Sequence, residues 1–363
     1  MPELTQVDLQ KAVKNTFKRV HDKNKNSKVD RTRRPWIRTL EKMKKDSNFE
    51  QGVIIYPLQL SFNDPGTTWT GDQELEAIDP DFSLNLEFGY FNYNTAITIK
   101  HDLLTRMGFS IVPNGEGSIE KRAMGSDMAF KIQDYIKNLV EGQIDNHDKY
   151  LDRLLQRSGA ASPSDPVGLF GILTEDPTTG SIGGQSRVTY TQLRHVRQIG
   201  LTPTLGGDFR ALWDTALRTA NQYSSENGVM GEIDYYKAGS GFISAFKNWA
   251  ELSTYSLQRQ TNVKLTRLDI AIPDDAVYYE GVPVIWDPTM DALDTVDTFS
   301  PTCTKLCVGI NSQSWKYKTL PGRYKCISTP ADAPKQRVSR QDIDSTAHLA
   351  CDAPASNLIL AID

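Results

Sequence analysis

The feature that most constrains the fold is a long amphipathic segment at residues 126–158. Its apolar residues recur at mostly helical spacing and are Met128, Ile132, Tyr135, Ile136, Leu139, Ile144, Leu151, Leu154 and Leu155. Ser126 or Asp127 can cap its N-terminus, and Gly159 ends it. About thirty helical residues extend roughly 45 Å, which exceeds the width of a compact domain. We therefore predict a structural spine helix against which sheets pack, in a protein of the α+β class.

Two extended segments precede this helix, at residues 52–62 and 90–100. In the second segment, apolar and polar side chains alternate from Phe91 through Tyr93 to Ile99, which predicts a strand with one covered face. The stretch between the segments is long and rich in Gly, Pro and acidic residues, so we predict a protruding two-stranded ribbon with an irregular tip. Because an isolated ribbon is marginally stable in water, we expect it to lie on another element, which could belong to another subunit.

The region at residues 165–285 is predicted to be a mixed α/β domain. A glycine-rich opening is followed by helices near 206–223 and 241–258 and by strands at 263–272 and 282–288. Beyond residue 300, short apolar runs alternate with turns, which is typical of sheet strands. These runs are KLCVGI, WKYKTL, YKCIST, AHLACDA and NLILAI.

The charge is distributed unevenly along the chain. The net charge is −4, yet residues 11–45 hold fourteen Lys or Arg against three acidic residues. This stretch has no sustained apolar stripe and is interpreted as an arm. It could be a solvated tail, contact nucleic acid, or lie across an acidic neighbour. Trp36 and Ile37 favour docking on protein, since a purely electrostatic tail does not need them.

Composition favours a soluble intracellular protein. The chain of 363 residues contains 39% hydrophobic and 24% charged residues, enough for a sizeable core. It shows no apolar run of about 18 residues, and its first residues lack the apolar region of a secretory signal. Four cysteines are too few for a disulfide scaffold in a chain of this length, which favours a reduced cytoplasm.

Signatures of nucleophilic catalysis and of phosphate binding fail. The sequence GSIGGQS at 180–186 lacks the Lys-Ser/Thr pair of a P-loop and the spacing of a dinucleotide-binding turn, so it is predicted to be a mobile loop. Ser240 lies between two glycines, but Ala238 and Phe242 stand where a nucleophile elbow requires glycine. His195 is flanked by arginines and has no evident carboxylate partner, so it is not assigned as a general base.

Metal-binding signatures also fail. Cys303 and Cys307 form a C-x-x-x-C pair, with Cys326 and Cys351 distant, and are predicted to be buried thiols. The acids Asp287, Asp291, Asp294 and Asp297 do not match an EF-hand loop and are interpreted as a solvated loop. We predict no cofactor, no metal and no enzymatic activity, although an undetected enzyme remains open.

Seven segments are informative through their order and spacing along the chain. They are YNTAITIKHDLLTRMG (93–108), the long helix from Ser126, FRALWDTALRTANQYS (209–224), FISAFKNWAELS, YYEGVPVIWDP, LCVGINSQSWKY and DIDSTAHLACDAPASNLILAI. In order and spacing they resemble the major capsid proteins of tailed bacteriophages, the family with the HK97-like fold. The resemblance covers nearly the whole chain.

The resemblance implies an HK97-like architecture with five regions. These are a basic N-terminal arm (1–50), an extended E-loop ribbon (51–108), a P-domain with the spine helix and a sheet (109–164), a mixed α/β A-domain (165–285) and C-terminal strands that return to the P-domain (286–363). Within it, the sequence GVPVIWDP is scaffold, a buried strand ending in a turn at Asp287-Pro288.

The resemblance also implies a function. Subunits would assemble as pentamers and hexamers into an icosahedral shell enclosing double-stranded phage DNA, which they would contact non-specifically. A separate scaffolding protein and a portal are expected as partners, and no membrane is. The expected location is the virion, after assembly in the cytoplasm of a bacterial host. Predicted inter-subunit contacts are Lys18, Arg19, Arg33, Arg34, Trp36, Trp69, Phe91 and Tyr93.

Two alternatives stay open at this stage. The first is a DNA-binding oligomer that acts through the basic arm, for which binding should weaken steeply with salt. The acidic remainder of the chain argues against it. The second is an encapsulin-like compartment, which would share the fold but enclose enzyme cargo in place of DNA.

Overall fold

A computed structural model of the chain describes its residues in separate ranges. These are 3–5, 34–46, 53–59, 83–100, 110–112, 126–159, 165–204, 207–226, 231–252, 264–265, 270–273, 276–293, 299–327, 331–332 and 338–363. By contact density the chain divides into two units. One comprises Met1–Arg31, Asn92–Leu151 and Leu320–Thr346, and the other comprises Thr32–Phe91, Asp152–Thr319 and Ala347–Asp363. The predicted regional boundaries remain predictions, apart from the end of the predicted arm, where residues 35–43 form a packed helix.

Three of the α-helices in the described residues were predicted from the sequence, and the others were not. The α-helices are α1 (Pro35–Met43), α2 (Ser126–Gln156), α3 (Leu169–Ile172), α4 (Phe209–Glu226), α5 (Ser240–Leu252) and α6 (Pro288–Leu293). The predicted spine helix is α2, which runs for 31 residues without a break. The helices predicted near 206–223 and 241–258 are α4 and α5.

Short strands make up most of the remaining described residues. In the first half of the chain they are β1 (Glu3–Thr5), β2 (Lys45–Asp46), β3 (Val53–Gln59), β4 (Ser83–Gly89), β5 (Phe91–Lys100), β6 (Ser110–Val112), β7 (Ser181–Ile182) and β8 (Gln185–Ser186). The later strands are β9 (Val196–Leu201), β10 (Tyr235–Ala238), β11 (Lys264–Leu265), β12 (Ile270–Ala271), β13 (Val277–Tyr279), β14 (Val282–Trp286), β15 (Leu306–Ile310), β16 (Trp315–Thr319), β17 (Cys326–Ile327), β18 (Ala331–Asp332), β19 (Val338–Cys351) and β20 (Leu358–Ile362).

The larger unit is built on a six-stranded mixed sheet with the order β13-β14-β10-β15-β20-β9. Every residue of β15 and of β20 is buried, so both faces of the sheet are covered at its centre. Helices α4 and α5 cover one face through an aromatic cluster. Its central ring, Trp213, stacks on Tyr279 at a centroid distance of 4.1 Å and meets Phe242 edge-on at 5.5 Å. Such burial of large rings supplies much of the stability of this unit.

The smaller unit is held together by the N-terminal part of β19. In the smaller unit, β17 and β18 pair with β19 in antiparallel fashion, and β5 is also a neighbour of β19. Strands β1 and β6 form a separate parallel pair. His147 of α2 is buried in this unit, with Nδ1 2.6 Å from Thr95 Oγ1 and Nε2 2.9 Å from Ser345 Oγ. These contacts fix α2 to β5 and β19 inside the unit.

The predicted ribbon has a different second strand. Strand β3 pairs with β4, with Tyr56 opposite Leu86, and not with the segment 90–100, which forms β5 beside β19. The sequence of β4, SLNLEFG, alternates apolar and polar side chains as clearly as β5 does. Alternation of apolar and polar residues indicates a strand but not which strand it pairs with. The prediction that β3 pairs with residues 90–100 was therefore wrong.

The glycine-rich segment 180–186 is an ordered hairpin, which corrects the prediction of a mobile loop. Strands β7 and β8 pair across Gly183 and Gly184, whose φ angles are +54° and +81°. Two successive residues with positive φ are typical of a type I′ turn, which glycine adopts without steric cost. The hairpin lies against β4, since the backbone N–H of Glu87 donates to the carbonyl oxygen of Gly183 at 3.0 Å.

Residues 35–43 do not belong to an arm. They form α1, and the Trp36 side chain is fully buried in the larger unit. Its indole N–H donates to the carbonyl oxygen of Leu155 at 3.3 Å, and its ring meets Trp315 edge-on at a centroid distance of 4.8 Å. The aromatic residue that favoured docking on protein therefore docks on its own subunit, which corrects the predicted extent of the arm.

Candidate assembly surfaces and a buried polar cluster

The eight predicted contact residues do not form one surface. Four of them lie outside the described residues and stay predictions: Lys18, Arg19, Arg33 and Trp69. Trp36 and Phe91 are buried within the subunit, which contradicts their predicted role as inter-subunit contacts. Apolar side chains of this size pack inward when a core is available. Arg34 and Tyr93 are partly exposed. The Tyr93 ring lies 4.9 Å from the His147 ring, which leaves only part of its surface free.

An apolar surface that sequence reasoning missed lies on β3. Val53 and Ile55 are 43% and 52% exposed, and they point away from the buried Tyr56 and Leu58 of the same strand. We call Val53 and Ile55 the outer ribbon face. The sequence VIIY could have indicated this surface, because consecutive apolar residues in a strand point to both faces, and only one face of the strand is buried in the subunit.

The inner face of the same ribbon is covered within the larger unit. The Tyr56 ring stacks on the His348 ring at a centroid distance of 5.6 Å, and His348 Nδ1 donates to the carbonyl oxygen of Gly89 at 2.9 Å. Burial lowers the pKa of His348 to about 4, so this imidazole is neutral at physiological pH. The ribbon base is thereby fixed to its own subunit, and among the described residues of β3 the outer ribbon face stays exposed.

The strand VPVIW, which the sequence assigned to scaffold, ends at a polar residue with two roles. Asp287 follows β14 directly and precedes Pro288, the first residue of α6. Its Oδ1 accepts from the backbone N–H of Thr289 at 2.9 Å, so Asp287 caps α6 where the sequence predicted only a turn. Its Oδ2 points to the opposite side, into a buried polar cluster.

The buried polar cluster consists of Lys237, Asp287, Gln156 and Asp152, all with no exposed surface. Lys237 on β10 places Nζ 3.3 Å from Asp287 Oδ2 and 2.5 Å from Gln156 Oε1. The strands β10 and β14 are parallel neighbours, which brings Lys237 beside the end of β14. The aromatic rings of Trp36 and Phe170 lie 5.7 Å from Nζ and exclude water from this side.

Asp152 is the second carboxyl group of the cluster. Gln156 Nε2 donates to Asp152 Oδ2 at 3.1 Å and to Asp287 Oδ2 at 3.0 Å, so one amide joins both acids. Thr289 Oγ1 donates to Asp152 Oδ2 at 2.5 Å. Burial, and then the charge of Asp287, raise the pKa of Asp152. Burial also lowers the pKa of Lys237, against the attraction of the Asp287 and Asp152 charges.

Two residues were considered for catalysis from the sequence, His195 and Ser240, and their surroundings do not resemble those of a general base or a nucleophile. His195 is buried, and burial lowers its pKa to about 3. Ser240 is the first residue of α5, and its backbone N–H donates to Asp291 Oδ1 at 2.9 Å. Cys303, Cys307 and Cys351 are buried free thiols, as predicted, whereas Cys326 is exposed.

The described ranges contain neither a cluster of metal ligands nor a membrane-spanning helix. Within them, no group of three or more His, Cys, Asp or Glu side chains is placed to hold a metal ion. No helix in the described part of the chain is both long and apolar enough to cross a bilayer.

The long helix, the mixed sheet and the ribbon together define a protein of the α+β class with an HK97-like capsid fold, as the resemblance predicted. A chain of the capsid asymmetric unit of cyanophage A-1(L) aligns over 93% of this chain and 96% of that one, with a TM-score of 0.57 and 15% identity. At this identity the likeness concerns the fold. No family model and no curated protein sequence matches the chain.

Two further solved structures show a weaker likeness. A capsid chain of a native GTA particle aligns over 90% of both chains, with a TM-score of 0.49 and 11% identity. A chain of the holo-SrpI encapsulin complex from Synechococcus elongatus PCC 7942 aligns over 94% of this chain and 92% of that one, with a TM-score of 0.47 and 13% identity. The fold assignment rests on the cyanophage chain alone.

Proposed function

We propose that this protein is a major capsid protein that assembles as pentamers and hexamers into an icosahedral shell around double-stranded phage DNA. The observation that carries the proposal is the agreement with the cyanophage capsid chain over 93% of this chain and 96% of that one. Agreement over nearly the full length of both chains supports a shared architecture and not a shared motif. The role is structural and not enzymatic, and the location is the virion after assembly in the host cytoplasm.

Assembly follows from geometry. Head-to-tail contacts between identical subunits close into rings when the rotation permits, and many weak contacts add up in a closed shell. The outer ribbon face is the described apolar surface best suited to lie on a neighbouring subunit, since it extends from a ribbon whose inner face is already covered. The mixed α/β region at 165–285 would occupy the ring centre.

The partners follow from charge and from the fold. The basic residues before position 34 would reach an acidic surface of another subunit or contact packaged DNA without sequence preference. A separate scaffolding protein and a portal would complete the assembly. The fold implies no membrane partner.

The test is to express the protein alone and then with its neighbouring genes, and to analyse both by gradient sedimentation and negative-stain microscopy. Uniform closed shells, or free pentamers and hexamers, support the proposal. Shells that close without DNA and hold a host enzyme would instead support an encapsulin-like compartment. Monomers or dimers in both preparations would refute the shell, and salt-dependent DNA binding would then favour the alternative of a DNA-binding oligomer.

A further inference from the structure

The buried polar cluster presents an amine and a carboxyl group in a geometry unlike that of a surface ion pair. Lys237 Nζ and Asp287 Oδ2 are 3.3 Å apart, and neither side chain has any exposed surface. This contact joins the amine nitrogen to a carboxyl oxygen, so the carboxyl carbon that an amine attacks lies one bond beyond it. Holding two groups side by side in this way removes much of the entropic cost of a reaction between them. Because β10 and β14 are paired, the backbone holds Lys237 beside the end of β14, where Asp287 follows.

The energetics of the cluster favour neutral groups. Two carboxyl groups share one ammonium group away from water, and desolvation of such charges offsets much of their mutual attraction. Burial lowers the pKa of Lys237 and raises the pKa of Asp152, so both shifts favour the uncharged forms. A neutral lysine amine in an apolar pocket is a nucleophile. The rings of Trp36 and Phe170 supply that apolar wall.

We propose that Lys237 and Asp287 form an intramolecular isopeptide bond, a covalent link between β10 and the end of β14. The proposal is independent of the capsid function, since it rests only on groups within one subunit.

The reaction is a condensation that needs no further reactant. The Lys237 amine attacks the Asp287 carboxyl carbon, a C–N bond forms, and the C–Oδ2 bond breaks. The oxygen leaves as one water molecule after it receives two protons, one from the amine and one from the Asp152 carboxyl group. The Thr289 N–H donates to Asp287 Oδ1 at 2.9 Å and stabilises the charge that develops there during attack.

We assign to Asp152 the transfer of a proton to the leaving oxygen, Asp287 Oδ2. Its carboxyl group shares the Gln156 amide donor with Asp287 Oδ2, which places both acids in one hydrogen-bonded group. Exclusion of water from the cluster opposes the reverse hydrolysis. The product keeps two of the described contacts, because the new amide N–H can donate to Gln156 Oε1 and the remaining oxygen, Oδ1, can accept from Thr289.

The experiment is intact-mass measurement of the full-length, denatured protein. The expected mass is lower than the sequence mass by one water molecule. Tryptic digestion should then yield residues 219–247 joined to residues 268–305, uncleaved after Lys237. A mass equal to that of the sequence, with cleavage after Lys237, would overturn the proposal.

Variants of Lys237 and Asp287 test whether the loss of mass comes from a bond between these two residues. Lys237→Arg and Asp287→Ala should each show the full mass of their sequences. Asp287→Asn should still form the bond, but it releases ammonia in place of water, so its mature mass should equal that of the mature wild type. A mass deficit that persists in Lys237→Arg would assign the deficit to other residues and refute the proposal.

Asp152→Asn separates proton transfer from packing, since it keeps the side-chain shape. It should leave the unlinked chain in large excess after the wild type has reacted fully. An equal linked fraction in this variant would refute the role of Asp152, and its circular dichroism spectrum shows whether the variant is folded.

Discussion

His147 is a buried imidazole whose protonation state should control the stability of the smaller unit. Its two ring nitrogens contact Thr95 and Ser345, and burial lowers its pKa from 6.5 to about 4. The neighbouring charges partly oppose one another, since Asp148 and Asp344 raise this pKa and Lys325 lowers it. His147 is therefore neutral in the folded protein at pH values where the unfolded chain already binds a proton.

We predict that the free energy of unfolding falls as the pH decreases from about 6.5 to about 4, with about 3 kcal/mol of the loss due to His147. The sign follows because the unfolded state binds more protons in this window. Urea titrations at several pH values measure the effect. His147→Gln keeps a neutral polar side chain and should show a shallower decline. An identical decline in this variant would contradict the prediction, since other buried groups would then account for it.

The contacts within the buried polar cluster could not be predicted from the sequence. Lys237 lies 81 positions from Gln156 and 50 from Asp287, so no local pattern brings them together. The cap at Asp287 was partly foreseeable, because Asp before Pro at the end of an apolar run is a typical helix start. Its second role depends on the parallel pairing of β10 and β14, which the sequence does not reveal.

At the scale of elements, the β7–β8 hairpin offers a matched pair of glycines. Both Gly183 and Gly184 have positive φ, so alanine at either site should cost about 1 kcal/mol or more through backbone strain. A Cβ at Gly183 would lie 2.9 Å from Leu86 Cβ and 3.0 Å from the Glu87 nitrogen, whereas one at Gly184 would have no atom within 4 Å.

We therefore predict that Gly183→Ala lowers the free energy of unfolding more than Gly184→Ala does, by a further amount of about 1–3 kcal/mol. Urea denaturation of the two variants gives the difference directly. Equal losses would mean that the hairpin does not pack on the ribbon as described.

The outer ribbon face gives a second prediction for an element. Ile55→Lys should prevent assembly in the co-expression experiment, because a charge would replace an apolar contact with a neighbouring subunit. Its subunit stability should change by no more than about 0.5 kcal/mol, as for most exposed positions. Ile55→Val is the matched control and should assemble. Normal shells from Ile55→Lys would exclude this face as an interface.

Elements were predicted from sequence more completely than their pairings. The helix Ser126–Gln156 was identifiable because its apolar residues repeat over many turns. Strands were identifiable for the same reason, with a period of two. The partner of β3 was assigned wrongly because β4 and β5 alternate equally well. Pairing depends on contacts between distant segments, and a single sequence carries no measure of those.

At the scale of the whole molecule, the boundary of the N-terminal arm decides how its role can be tested. Deletion of residues 1–40 would remove Trp36 and Leu40, which are fully buried, and so would damage the core. Deletion of residues 1–33 retains α1. We predict that the shorter deletion abolishes shells while the subunit remains folded, because it removes the basic residues that we propose contact neighbouring subunits.

Sedimentation and thermal unfolding of both deletion variants distinguish the two effects. The deletion of residues 1–40 should lower the unfolding midpoint strongly, and the deletion of residues 1–33, which removes strand β1 but no part of α1, should lower it less. Normal shells from the shorter deletion would show that the arm is dispensable for assembly.

The position of β20 has a consequence for the order in which the chain is made. This strand comprises Leu358–Ile362, yet it lies inside the central sheet, between β15 and β9. A nascent chain on the ribosome therefore carries β9 and β15 without the strand that joins them until Leu358–Ile362 has been synthesised. Chains released early would expose two unpaired strand edges and would be prone to aggregation and proteolysis. Only chains that include β20 can therefore complete the central sheet.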